Sequence, residues 1–209
     1  MFIAAMKALA RELRDKALAE HMARVEKAAG LVKAAVQVAV DLAWGREKPG
    51  LWVFLAGEYG SGKTFLAQVA VVEAVRQGVP ATFVRMAEIL NTAQGAFSRE
   101  APQNYVQHVI DVYTARPVLV AVDEAEKVGD TDWRKEIQTM LWGNWYERAL
   151  AGRLVLIATS NLPRESLPGY IRSRAEDGRF GYVNLGTLNL RTYFGHPVLA
   201  DILTEMEVK

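Results

Sequence analysis

The apolar positions follow one rhythm up to residue 45 and another beyond it. Over residues 1–45 they recur at helical spacing, as Leu9, Leu13, Ala17 and Met22, then as Val32, Val36, Ala39 and Val40. Ala, Leu, Glu, Lys and Arg dominate this stretch and no proline precedes Pro49. It is predicted to be helical, with Gly30 separating two helices. Gly45 to Gly50 reads as a loop. From Leu51 onward, short aliphatic runs alternate with amphipathic ones. Strands are predicted over 51–56, 81–85, 117–123, 153–159 and 182–185. Helices are predicted over 64–77, 86–97, 103–114, 132–151 and 167–176, with a loop over 98–102. Short aliphatic strands separated by helices form a parallel sheet covered on both faces. The expected class is α/β: a five-stranded parallel sheet between helices, with residues 1–45 as a helical extension, 46–190 as the core and 191–209 as a short tail.

Composition narrows the picture. The 209 residues are 51% hydrophobic and 23% charged, which predicts a packed core. The net charge of +1 means that any nucleic-acid contact must come from a local patch. The absence of cysteine excludes disulfides, thiolate metal sites and cysteine nucleophiles. Lys7, Arg11, Glu12, Arg14, Asp15 and Lys16 interrupt any signal-peptide core. Lys33, Gln37 and Asp41 interrupt the apolar stretch from Leu31 to Trp44. A soluble, cytoplasmic protein without membrane contact is expected. His21, His108 and His196 have no metal-ligand spacing.

Four segments carry chemistry. Gly57-Glu58-Tyr59-Gly60-Ser61-Gly62-Lys63-Thr64 is a complete G-x-x-x-x-G-K-[ST] phosphate loop, followed by Phe65. A predicted strand delivers it and a predicted helix leaves it, so helix N-terminal amides would face the phosphates. The glycines permit positive φ and close approach of the backbone to an anion. Lys63 is expected on the β- and γ-phosphates of ATP and Thr64 on Mg²⁺. Val118 to Glu124 is an aliphatic run ending in two acids. Asp123 would hold Mg²⁺ and Glu124 would orient or deprotonate the attacking water. Thr159-Ser160-Asn161 ends the next strand, where a neutral polar group can contact the γ-phosphate or the water. Ile171-Arg172-Ser173-Arg174 places arginines on a short helix. Arg174 is the first choice for an arginine finger, ahead of Arg172 and then Arg179.

In this order the four segments resemble those of AAA+ ATPases, and more narrowly the DnaC/IstB group of helicase-loader and transposition ATPases. The resemblance runs from about Trp52 to Leu188 and includes Arg85-Met86-Ala87-Glu88-Ile89-Leu90. It implies a P-loop fold and an ATP-dependent homo-oligomer in which the finger completes a neighbour's site. It also implies contact with single-stranded DNA and with a replicative helicase or a transposase. The short stretch after the last strand implies a reduced or absent lid domain, with Arg191 the nearby sensor-2 candidate.

Two rivals remain: an ATP-gated binding protein with little hydrolysis, and a P-loop enzyme acting on a small molecule. Trp133, Ile137, Leu141 and Trp145 form a helical stripe that is expected to pack on the sheet, with base stacking as the alternative. Trp142 lies off it. Lys127, Arg134, Arg99 and His108 are candidates for a strand-binding surface. Residues 1–45 are read as a partner-binding arm, with packing on the core as the alternative, and the loop at Gly45 to Gly50 as a neighbour of the adenine.

Overall fold

The computed structural model describes residues 1–95, 104–115, 118–127, 131–175 and 180–207. Five strands, β1 (Leu51–Ala56), β2 (Ala81–Arg85), β3 (Leu119–Asp123), β4 (Val155–Ser160) and β5 (Phe180–Asn184), form one parallel sheet in the order β2-β3-β4-β1-β5. Side chains alternate across it, as the two-residue period of a strand requires. Val53, Leu55, Leu119, Ala121, Val155 and Ile157 enter one core, whereas Trp52, Phe54, Val120, Val122, Leu156 and Ala158 enter the other. Every residue of β3 and β4 is buried, because helices cover both faces.

The first face is covered by α1 (Phe2–Glu12), α2 (Lys16–Ala43) and α3 (Lys63–Arg76). The break between the first two helices falls at Leu13 to Asp15 and not at Gly30. Arg14 takes a left-handed φ of 51°, and the Asp15 carboxylate caps α2 by accepting from the Leu18 amide at 2.9 Å. Gly30 sits exposed within α2. A mid-helix glycine costs only about 1 kcal/mol, and the buried stripe of Val25, Ala28, Val32, Ala35, Val36 and Ala39 runs straight past it. That stripe packs on β1, β4, β5 and α3. Residues 1–45 therefore form a layer of the core, the packing alternative of the two offered for them.

The opposite face carries α4 (Met86–Gln94), α5 (Tyr105–Thr114), α6 (Asp132–Leu150) and α7 (Gly169–Ala175). In α6 the expected stripe of Ile137, Leu141 and Trp145 is buried, and Trp133 is partly buried. Trp142 is buried too: its ring stacks on Phe54 at 5.8 Å and meets Trp52 at 5.5 Å. The apolar stripe is wider than the predicted one, and these tryptophans are core. After β5, α8 (Pro197–Glu207) packs on α1 through Val198, Leu199, Ile202, Leu203 and Met206. No helix among the described residues is long and apolar enough to cross a membrane.

Candidate nucleotide site

The phosphate loop leaves β1 at the carboxyl end of the sheet, where ligands of open parallel sheets bind. Gly57, Gly60 and Gly62 hold φ values of 140°, 80° and 99°, and Gly62 opens α3. A Cβ at Gly60 would also run into the Asn189 side chain, which would have to move. Two distant segments brace the loop, the one after β5 and α2. The Glu58 amide donates to the Gly186 carbonyl at 2.9 Å, and the Leu190 amide to the Gly60 carbonyl at 3.0 Å. Nε2 of buried His21, on α2, lies 3.1 Å from the Ser61 carbonyl. With a carbonyl as partner, Nε2 is the protonated nitrogen. Burial holds His21 below the usual imidazole value, partly offset by the Ser61 and Leu185 backbone.

Lys63 is 6% exposed and donates to the Gly57 and Glu58 carbonyls, each at 2.8 Å. Burial lowers its pKa, opposed by the charges of Glu126, Asp123 and Glu124. The ammonium thus rests on carbonyls of its own loop. Next to it, the Thr64 hydroxyl donates to Asp123 Oδ1 at 3.0 Å, and the Thr159 hydroxyl makes a short bond to the same oxygen. This hydroxyl–carboxylate pair is the hard oxygen donor set that Mg²⁺ takes alongside phosphate oxygens.

Glu124 occupies the left-handed region with φ 53°, a strained conformation for a residue with a side chain. Its amide donates to Thr159 Oγ1 at 3.1 Å and its carboxylate pairs with Lys127 at 2.8 Å, which raises the Lys127 pKa. Asn161 turns its amide onto Glu126: both its backbone N and its Nδ2 donate to Glu126 Oε1, at 3.0 and 2.9 Å. The structure therefore brings Lys63, Thr64, Asp123, Glu124 and Asn161 to one end of three adjacent strands.

The arginines behave differently. Arg174 folds back on its own chain, donating to the Tyr170 carbonyl at 2.6 Å and lying 5.2 Å over the Tyr146 ring. Arg172 is exposed and donates to the Glu165 carbonyl at 3.3 Å. Arg179 and Arg99 lie outside the described residues. Among the other basic candidates, Lys127 is held by Glu124, Arg134 donates to Asn91 and Gln94 on α4, and His108 is exposed on α5.

Beside the loop lies a pocket of about 310 Å³, walled by Phe2, Phe65, Leu190, Phe194, Arg191 and the Gly60–Thr64 backbone. The Phe2 ring lies 5.5 Å from Phe65 and 6.0 Å from Phe194. The loop at Gly45 to Gly50, expected near the base, lies at the opposite end of β1. Gly50 donates to the Ala149 carbonyl at 3.0 Å, at the far end of α6. The reason is directional: residues before β1 enter the sheet at its amino edge, and the phosphate loop leaves at its carboxyl edge. Sequence reasoning also missed His21, Glu126, Phe2, Asn189 and Phe194. Of these only Glu126 had a local signal, as a third acid in Asp-Glu-Ala-Glu.

Residues 5–167 match the family model described as "IstB-like ATP binding protein". Three solved structures with the same fold are a DNA replication initiation factor, DnaA bound to AMPPCP and single-stranded DNA, and domain III of DnaA from Thermotoga maritima. The first is 17% identical with a TM-score of 0.61, covering 85% of this chain and 50% of its own. The second is 16% identical with a TM-score of 0.55, covering 73% and 45%. The third is 16% identical with a TM-score of 0.55, covering 84% and 69%. The chain thus spans about half the length of the first two. No curated protein matches it.

Proposed function

Because this chain belongs to the family of IstB-like ATP-binding proteins, AAA+ P-loop ATPases, we propose that it hydrolyses ATP at a subunit interface to deliver a replicative helicase onto single-stranded DNA. The observation that carries the hydrolytic part is the bond between the Thr64 hydroxyl and Asp123, which unites loop and acid at one point beside Lys63. The adenine takes the aromatic pocket of Phe2, Phe65 and Phe194, and the triphosphate runs along the loop amides. Lys63 exchanges the Gly57 and Glu58 carbonyls for phosphate oxygens. Thr64 and Asp123 hold Mg²⁺, which neutralises phosphate charge when bound. Glu124 exchanges Lys127 for the attacking water, and Asn161 presents an amide hydrogen to the γ-phosphate end. Arg174 or Arg172 of a second subunit supplies the transition-state cation, and Arg174 must first leave Tyr146 and Tyr170 to do so.

Single-stranded DNA in the related DnaA structure supports the nucleic-acid part of this reading. A second reading, favoured by the IstB-like family match, replaces the helicase with a transposase. The test is ATP turnover per protomer across protein concentrations, with and without single-stranded DNA. Turnover that rises with concentration and changes with DNA is expected. Flat, DNA-indifferent turnover overturns the shared site, and its absence under all conditions favours an ATP-gated binding protein. Pull-down of purified helicase against purified transposase separates the two partner readings.

A further inference from the structure

Four contacts weld the segment after β3 to the end of β4. The Ala125 amide donates to the Thr159 carbonyl at 2.9 Å, and the Glu124 amide to the Thr159 hydroxyl at 3.1 Å. The other two are the donations from Asn161 N and Nδ2 to Glu126 Oε1, at 3.0 and 2.9 Å. The first three donors are main-chain amides and hold the backbone. The fourth does something else: it orients a side chain.

A primary amide has two hydrogens on nitrogen and two lone pairs on oxygen, and it can be turned either way about its last bond. An acceptor on one side decides which end faces the site. Glu126 Oε1 takes one Nδ2 hydrogen, so the second stays available as a donor, and a turned amide would set its oxygen against the carboxylate and lose that bond. A charge-assisted hydrogen bond is roughly twice as strong as a neutral one. The second oxygen, Oε2, is buried and has no hydrogen-bond partner among the described residues. Buried polar atoms are normally satisfied, and an exception of this kind concentrates where a side chain is kept for a task other than stability.

We propose that Glu126 is a positioning residue for ATP hydrolysis: by accepting from Asn161 it fixes which way the Asn161 amide is turned and leaves its second Nδ2 hydrogen as the donor offered to the site. This rests on the reading of Asn161 as the neutral polar group that meets the phosphate or the water. Glu126 acts through Asn161, and Glu124 remains the group placed for the water.

The test is steady-state ATP turnover with thermal melting for Glu126→Ala, Glu126→Gln, Asn161→Ala and the Glu126→Ala/Asn161→Ala double variant. Glu126→Ala is expected to lower kcat about 10- to 100-fold, the scale of a misplaced catalytic contact, with KM for ATP changed far less. Glu126→Gln keeps an acceptor oxygen and is expected to recover most of kcat. The double variant is expected to be no slower than Asn161→Ala, because residues acting as a unit are not additive. Additive losses, a Glu126→Gln as slow as Glu126→Ala, or a change in KM alone would overturn the proposal. If the wild-type protein does not turn over ATP, the parent reading fails, and nuclear magnetic resonance of the Asn161 side-chain amide in the nucleotide-free protein decides. A slowly exchanging Nδ2 proton lost in Glu126→Ala supports the positioning role, and an unchanged signal overturns it.

Discussion

The two faces of the sheet are packed by different means. The face under α2 and α3 is built on small residues: Ala28, Ala35 and Ala39 from one helix and Ala67, Ala70 and Ala74 from the other are all buried. The face under α6 is built on aromatics, with Trp142 stacked on Phe54, crossing Trp145 at 5.4 Å and 90°, and Trp145 donating to the Tyr113 carbonyl at 2.9 Å. Small side chains let α2 and α3 lie close to the sheet and to each other. That proximity is what allows His21 on α2 to reach Ser61 in the phosphate loop. The aromatic face instead braces the acidic end. Buried Gln138 on α6 donates to the Ala125 carbonyl at 2.9 Å and accepts from the Tyr170 hydroxyl at 2.8 Å. The phosphate loop and the acidic end of β3 are therefore supported from opposite sides of one sheet.

If that division holds, substitutions on the two faces should fail differently. Trp142→Ala removes the largest shared side chain of the aromatic face and should destabilise the fold by about 3–5 kcal/mol. Chemical denaturation measures it, and ATP affinity below the melting transition should stay near the wild-type value. Ala67→Leu, one turn beyond Lys63, overpacks the small-residue face. It should cost about 1–3 kcal/mol and also raise KM for ATP, since α3 carries Lys63 and Thr64. Equal effects on ATP affinity from the two substitutions would break the comparison. The smallest effect concerns pH. Burial holds His21 below the ordinary 6.5, so the unfolded chain gains a proton there before the folded chain does. This contribution to stability is full above about pH 6.5 and is lost progressively as pH falls below it. Melting temperatures between pH 7 and pH 5 should fall less steeply in His21→Gln, whose side-chain amide can still donate to Ser61.

The described residues between 51 and 160 were legible because strand and helix periods there coincide with local chemistry. The aliphatic run ending in Asp123-Glu124 and the run ending in Thr159-Ser160-Asn161 become β3 and β4, and their polar ends meet beside Thr64. Boundaries moved where capping outweighed composition. Asp15 starts α2 because its carboxylate reaches the Leu18 amide, while Gly30 stays helical because burial on either side outweighs its flexibility. Arg174 was legible as a basic residue on a short helix, but its stacking on Tyr146 depends on how α6 and α7 pack.

Local pattern was enough for the α/β class, the phosphate loop, the paired acids and the polar end of β4, since each is a run of neighbouring residues whose spacing carries its own chemistry. The bracing of that loop by His21, Gly186 and Leu190, and the pocket shared by Phe2, Phe65 and Phe194, arose only on folding. These residues come from the two ends and the middle of the chain. No periodicity links them, and they meet because α1, α2, α3 and the segment after β5 converge on the carboxyl edge of the sheet.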